Sequence, residues 1–525
     1  MLDNIADLVL AVSLLGAVFA FPTNFALQHM VPGTALGVLV GDLLFFFLAL
    51  RVAHKTGNNS LTAMPLGLDT PSTFGMVFLV LGPAFVAAKG AGMEEFAAAR
   101  HTWHIGICAI FISGLFKMFC AAVSGWIRRM IPRAGLLGSL TAVALILISF
   151  LPLLEVMHAP IIGMVALSMI FTTLVARVDL PWKSPGALGT MRVAGAMYYL
   201  MVGLQSLGAL PSVLHLPPAD VPLDPWQGLW PTGWLSAFRF EWTSALVASL
   251  NYLPIILPFA LATVIGGIDC TESAAAAGDE YNTGQVIAIE AFATLVAALC
   301  GGVIQTVPYI GHPAYKAMGG RSAYTLATAL FIGAAGALGF FGFMYVVIPK
   351  ATVFPILIFV GLEITAQSFQ ATTKRHYPAV ALACVPALAY LAMMYVKKMS
   401  PMISGDLPPS LQAETHTLML ISNGFFLSSV IWSSALAMLI DHRLRAASAF
   451  FFVAMGCSLF GLMHSPIPTD AMFLPTQLTE TQLSDVLSFA LGYGIVGAGL
   501  LVGSFYVKPL PIEEEPSISG IHHPS

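Results

Sequence analysis

Charge is what this chain has least of. Only 9% of its 525 residues are charged, where a soluble globular chain carries about 25%. So few charges cannot clothe a soluble surface of this size, and most of the sequence must sit in lipid. No basic run is present to hold a nucleic acid, and a net charge of −4 supplies no such affinity. Cysteine is also sparse. Cys108, Cys120, Cys270, Cys300, Cys384 and Cys457 stand singly in apolar segments, which argues against a CxxC zinc site and a disulfide framework. HExxH, GxSxG and Walker A stretches are missing, and the HxxH at His101 and His104 has no third ligand beside it. Neither a metal, a cofactor nor an enzymatic nucleophile–base set is therefore expected. The opening MLDNIADLVLAV lacks a basic n-region and a small-residue cleavage site, so it reads as a first span.

What the chain does have is apolar runs. It is 58% hydrophobic, with a mean hydropathy of +0.85, and about sixteen runs reach the length that crosses a bilayer. The first lies near 5–21, the eighth near 246–272 and the last near 486–506. With the N-terminus inside, Arg51, Lys55, Arg128, Arg129, Arg133, Arg177, Lys183, Arg192, Lys316, Arg321, Lys374, Arg375, Arg443, Arg445 and Lys508 all face inside. Only Lys89, Arg100, Arg239, Lys350, Lys397 and Lys398 face outside. That is the positive-inside bias, and it places both termini in the cytoplasm. The outer loop at 205–241 contains HLPPADVPLDPWQGLWPTGW, a composition suited to the membrane interface. The tail after Tyr506 is short and acidic at Glu513, Glu514 and Glu515.

Two stretches interrupt the apolar pattern in the same way: LTAMPLGLDTPSTFG at 61–75 and QTVPYIGHPAYKAMG at 305–319. Each starts apolar and extended, then carries a proline, a glycine, a polar residue and a second proline that can open a helix. Thr70-Pro71 and His312-Pro313 each read as a cap followed by a first-turn proline. Pro65 and Pro308 are 243 positions apart (308 − 65), and the first and eighth spans start about 241 apart, which implies two halves of seven spans. Seven is odd, so the halves are inverted. Matching interruptions in inverted halves point to a transporter's binding site, because open backbone at membrane depth survives only where it is buried or lines a wet cavity. A pair of ordinary proline kinks is the plain alternative.

Six acids fall inside spans, Asp42, Asp69, Asp269, Glu272, Glu290 and Glu363, with Lys117 the lone base. A charge at the bilayer centre costs at least ~2.5–3.5 kcal/mol, so each asks for a role. Asp269 and Glu272, in GGIDCTESAAAAGDE, are three apart and share a helix face, with Thr271 and Ser273 beside them. Carboxyls in that setting suit proton carriage and acceptance of ligand N–H groups. The alternative ends the span before Asp269 and leaves both acids at a surface, where Asp279 and Glu280 are expected. Asp69 either caps the half-helix at Pro71 or touches a ligand. His312 holds the corresponding place as donor, acceptor or relay, or is simply satisfied by a carbonyl. Lys316 can snorkel to the surface. Asp42 and Glu290 sit at corresponding positions of the second and ninth spans and read as packing or coupling residues. Lys117 either pairs with an acid or snorkels. Gln28 and His29, near a span end, either approach the same cavity or form a surface pair. The glycines of 333–342, with Gly499 and Gly503, read as helix-packing faces.

At these motifs the chain resembles the nucleobase permeases of the seven-plus-seven inverted-repeat class, the adenine/guanine/hypoxanthine permeases first and the uracil/xanthine permeases next. YIGHPAYKAMGGRS (309–322) resembles their tenth-span pattern, PILIFVG (355–361) their twelfth-span pattern, and DCTE (269–272) the spacing of their eighth-span acids. GLD (67–69) resembles a third-span Gly-Leu-Asn, and Gln28-His29 the Gln-His of the uracil/xanthine branch. The resemblance implies an all-α polytopic membrane protein with a seven-plus-seven transmembrane inverted repeat. Its core domain would comprise 1–130 and 246–348, and its gate domain 131–210 and 349–440. An outer loop at 211–245, two additional spans at 441–507 and a cytoplasmic tail at 508–525 complete the layout. The substrate is then expected between the half-helices, near Asp69, Thr70, Gly311, His312, Gln28 and His29, held by Glu272 with Asp269 beside it. Coupling protons fall to Glu272, Asp269, His312 and Glu290. One departure stands out: the permeases' tenth-span glutamate falls on Gly311. Other proteins of this fold carry anions such as sulfate or bicarbonate, usually with a cytoplasmic regulatory domain. The expectation is thus a proton-coupled symporter of a purine- or pyrimidine-like nucleobase in the cell membrane. Its partners are that substrate, protons and lipid, with a homodimer as one assembly. A carrier of small organic or inorganic anions is the alternative, and a channel or intramembrane enzyme is the reading from another class.

Overall fold

The computed structural model describes residues 2–58, 60–130, 132–181, 186–209, 211, 216, 229–309, 312–317, 319–399, 408–467 and 473–511. Helices dominate, as they must where no water bonds the backbone. Among the described residues nine helices are long and apolar enough to cross a membrane, or ten counting one bent pair. The first half comprises α1 (Leu2–Phe19), α2 (Thr23–Thr56), β1 (Leu66–Leu68), α3 (Thr70–Gly90), α4 (Glu95–Met130), α5 (Arg133–Met157), α6 (Pro160–Val175) and α7 (Gly186–Ser206). The second opens with α8 (Leu253–Ala276), α9 (Thr283–Leu299), β2 (Thr306–Pro308) and α10 (His312–Ala317). It continues through α11 (Ala323–Ala337), α12 (Phe340–Val347), α13 (Lys350–Gln370), α14 (Tyr377–Met399), α15 (Pro409–Ser422) and α16 (Phe425–Ile440). The two additional spans are α17 (Leu444–Leu459) and α18 (Glu480–Gly503). The chain is a mostly helical multi-pass membrane protein in which β1 and β2 interrupt two of its helical runs.

Two further apolar runs are broken. The run at 322–347 divides into α11 and α12 at Gly339, whose φ of +78° suits glycine and ends a helix. The run at 417–440 belongs to a pair, α15 and α16, bent by 73°. There Gly424 has φ +69°, and a Cβ on it would lie 2.3 Å from Leu462 O.

The chain forms two compact units. The first holds Met1–Gly114, Leu147–Ala245 and Ile289–Glu363, and α2 is its central strut. Small residues let neighbours close on it, which is how helices bind where lipid removes the hydrophobic drive. A Cβ on Gly37 would come within 2.5 Å of Ala297 Cβ on α9, and one on Gly336 of α11 within 2.2 Å of Ala35 Cβ. Gly333 meets Leu39 in the same way. The packing role expected for the 333–342 glycines therefore holds for these two. Gly499 differs: nothing lies within 4 Å of it.

The second unit holds Leu115–Ile146, Leu246–Ala288 and Ile364–Ser525. Ala134 of α5 clusters with Ala379 and Val380 of α14 and Ala437 of α16, and Ser429 Oγ donates to Ala383 O at 2.6 Å. Lys117, on the part of α4 in this unit, is fully buried and does not snorkel. The loop between α17 and α18 enters the α15–α16 bend. Asn423 Nδ2 donates to Ser465 O (2.8 Å) and Ile467 O (3.0 Å), and His464 N donates back to Asn423 O (3.1 Å). Trp432 Nε1 donates to Tyr493 Oη (2.8 Å), which leaves the tyrosine proton for His464 Nε2 (2.7 Å). His464 must then carry its own proton on Nδ1, and that proton meets Leu420 O (3.1 Å), near the end of α15. The additional spans are thus wired into the bend.

Candidate functional site

β1 and β2 pair antiparallel at the crossing of the two broken spans, Leu66 opposite Pro308, Gly67 opposite Val307 and Leu68 opposite Thr306. Beyond each strand the ladder continues symmetrically: Asp69 N donates to Gln305 O (3.2 Å) and Tyr309 N to Pro65 O (2.9 Å). This two-fold likeness is what inverted halves produce. Both strands are fully buried.

In this register the main-chain nitrogens of Leu66, Leu68, Thr306 and Pro308 point away from the partner strand. At membrane depth each unpaired N–H would cost several kcal/mol. Each is accounted for. Leu66 N donates to Asp42 Oδ1 of α2 (3.3 Å) and Leu68 N to Asn4 Oδ1 of α1 (2.9 Å). Thr306 N donates to the Thr294 hydroxyl of α9 (3.3 Å). Pro308 has no N–H to satisfy. The Thr306 hydroxyl donates to Glu290 O (3.2 Å), so the Thr294 proton goes to Thr306 Oγ1 (3.1 Å).

The starts of the half-helices are held as tightly. Asp69 caps α3, its Oδ2 accepting from Ser72 N at 2.9 Å. The cap therefore falls one residue before the expected Thr70, which is the first helical residue and donates its hydroxyl to Asp7 Oδ2 (3.0 Å). His312 is buried, and its Nε2 donates to Thr62 O (3.0 Å) on the approach to β1. Tyr324 Oη donates to Ala63 O (2.9 Å) and Thr62 Oγ1 to Gly320 O (2.8 Å), so each broken span grips the other. The Tyr309 hydroxyl divides its proton between Asn4 Oδ1 and Leu68 O, both at 3.2 Å. Tyr309→Phe is therefore expected to lower stability by about 1 kcal/mol, seen as a small drop in the thermal unfolding midpoint with insertion unchanged.

Asn4 and Asp7 escape the sequence reading. Their only signal is two polar residues three apart at the head of an apolar run. Both are buried, and Asn4 Nδ2 has no hydrogen-bond partner among the described residues. Gly311 lies outside the described residues. Gln28 and His29 lie in a wide π turn, Ala26–Met30. His29 stacks on Phe25 at 3.9 Å and meets Trp103 edge-on at 5.0 Å, an aromatic setting distinct from the crossing.

Asp269 and Glu272 belong to the second unit. α8 runs through both to Ala276, while the stretch apolar enough to cross a membrane is Glu241–Ile268. Their side chains lie outside the described residues, as does that of Ser273. α8 packs through Val264, Ile265 and Ile268 on Cys120, Leu136 and Ile287, and the Thr271 hydroxyl is spent on Gly267 O (2.7 Å). Asp279, expected at a surface, is buried, whereas Glu280 is exposed. Among the described residues no group of three His, Cys, Asp or Glu side chains is placed to hold a metal ion.

No family model and no curated protein matches the chain. Three solved structures to which it is similar are anion or bicarbonate transporters. One is the transmembrane domain of a cyanobacterium bicarbonate transporter, BicA, at 13% identity over 82% of this chain and 95% of that chain, with a TM-score of 0.41. Another is the overall structure of SLC26A9, at 11% identity over 96% and 91%, with a TM-score of 0.48. The third is the murine Solute Carrier 26 family member A9 anion transporter in an inward-facing state, at 12% identity over 77% and 70%, with a TM-score of 0.36. The resemblance to nucleobase permeases is corrected accordingly. Its short stretches find no family match, and none of these three structures is a nucleobase permease.

Proposed function

We propose that this chain is a secondary transporter that moves a small anion by alternating access, with the β1–β2 crossing as its substrate-facing element. The observation that carries the reading is the distribution of charge about the crossing. Three first-half acids beside the crossing are engaged with the chain itself: Asp42 with Leu66 N, Asp69 with Ser72 N and Asp7 with the Thr70 hydroxyl. The second broken span, 306–319, contains no acid and carries His312 and Lys316. A lysine here gives that span a positive charge that favours an anion. Thr70, Gly311 and His312 then border the substrate, with Asp69 as scaffold. Gln28 and His29 flank the approach. Asp269, Glu272, His312 and Glu290 are further candidates for proton coupling. Core segments 1–130 and 246–348 would move against gate segments 131–210 and 349–440, with both termini cytoplasmic.

Purified protein in liposomes tests this. Saturable uptake of labelled bicarbonate, sulfate or chloride, accelerated by the same unlabelled anion on the far side, is the expected result. Counterflow of that kind separates a carrier from a channel. Uptake of hypoxanthine or uracil without any anion flux would overturn the substrate class. No flux of any probe would overturn the reading.

A further inference from the structure

We propose that Asp42 carries a proton coupled to movement of the crossing, an inference that rests on the transporter reading above. Three side chains catch the outward N–H groups of the crossing, Asn4, Asp42 and Thr294. Only one of them can change charge. Asp42 is 1% exposed. Its Oδ1 has a single partner, Leu66 N at 3.3 Å, and its Oδ2 has no hydrogen-bond partner among the described residues. A Cβ on the neighbouring Gly41 would stand 2.3 Å from Leu66 Cδ2 and 2.9 Å from Ala293 Cβ, so α2, β1 and α9 pack closely one residue away.

An ionised carboxylate in a dry interior needs several partners to offset its lost hydration. One long N–H bond does not provide them. A neutral carboxyl needs far less: its carbonyl oxygen keeps the Leu66 N–H and only a hydroxyl is left over. The charged groups on the elements packed around it do not change the balance. α1 brings Asp7, engaged with Thr70. The capping Asp69 of α3 is turned to Ser72 N. α9 brings the buried Glu290, and α11 has only the Tyr324 phenol.

The step is a simple protonation. With β1 withdrawn and water admitted, the Asp42 carboxylate binds one proton from solvent. The neutral acid then seats against Leu66, and the proton returns to water when the crossing next opens, on whichever side that occurs. Thr294, which holds Thr306 in the other half, cannot take part, so the coupling is built into one half of an otherwise symmetric ribbon.

Two variants keep an N–H acceptor and remove the titration: Asp42→Asn, and Asp42→Thr, which copies the Thr294 arrangement. In liposomes loaded for labelled bicarbonate uptake, the ratio of uptake with and without a pH gradient is expected to fall to one in both variants. Infrared spectra of purified protein at neutral pH provide a readout independent of transport. Wild type should show a neutral-carboxyl C=O band that shifts in heavy water and is lost in both variants. An unchanged gradient response, or a carboxyl spectrum identical in wild type and variants, overturns the proposal. If wild type moves no probe at all, the transporter reading fails, and the infrared band still decides the state of Asp42.

Discussion

Gly67→Ala is expected to bring transport down to background while the protein still inserts in the membrane. A Cβ at this position would lie 2.4 Å from both Cε2 and Oη of Tyr309 and 2.5 Å from Asn4 Oδ1. Neither neighbour can swing away freely. Asn4 Oδ1 is held by Leu68 N, and the Tyr309 ring is held by its hydroxyl and by its own main-chain bond to Pro65 O. The methyl must therefore push the strands apart or break these bonds. Overpacking of this kind costs about 1–3 kcal/mol, and each buried group left unpaired adds about 1–3 kcal/mol. A several-degree fall in the unfolding midpoint should accompany the lost flux. Gly90→Ala is the matched control, since nothing lies within 4 Å of Gly90, and it should behave as wild type. A Gly67→Ala protein that transports and melts like Gly90→Ala would mean the crossing opens more freely than these contacts allow.

Asn423→Ala is expected to have the largest effect on stability in the second unit. Its Nδ2 donates to both Ser465 O and Ile467 O, and Ser465 is fully buried. Removing these donors takes one from the buried Ser465 and one from the half-buried Ile467, a loss of about 1–3 kcal/mol. Loop 460–467 should then lose its place in the α15–α16 bend. Hydrogen exchange would report this directly, because His464 N and Leu462 N should exchange faster while the amides of α14 keep their protection. Unaltered exchange in the loop would show that it is anchored by other contacts.

The sequence carries the fold more plainly than the site. Pro65 and Pro308, at matching distances within two runs of spans, foretell a crossing of broken helices because proline both stops a helix and needs no N–H partner. The strand register, however, depends on which side chains reach the outward N–H groups. Thr294 looks like any threonine in an apolar helix, where such hydroxyls usually bond their own backbone. Asn4 and Asp7 sit so near the first residue that they read as a polar edge and not as part of the interior. Asp69 and Thr70 were separable only by cap geometry, since either residue type serves at that position. The breaks at Gly339 and Gly424 were hidden for a similar reason. A lone glycine in an apolar span serves equally for close packing, as Gly333 does, or for a left-handed turn. Substrate class was least legible, because it turns on which acids the fold engages, as with Asp42 and Asp69, and not on any residue's identity alone.

The ribbon also sets a schedule for biosynthesis. Leu66 precedes Thr306 by 240 positions (306 − 66), and a ribosome adds roughly 5–20 residues per second. The first strand therefore waits roughly 10 to 50 seconds inside the membrane before its complement exists. In that interval Asn4 and Asp42, both already synthesised, are the groups able to shelter its N–H bonds. The nascent first half must be chaperoned by its own early side chains, or by the insertion machinery, until the second half arrives to close the ladder.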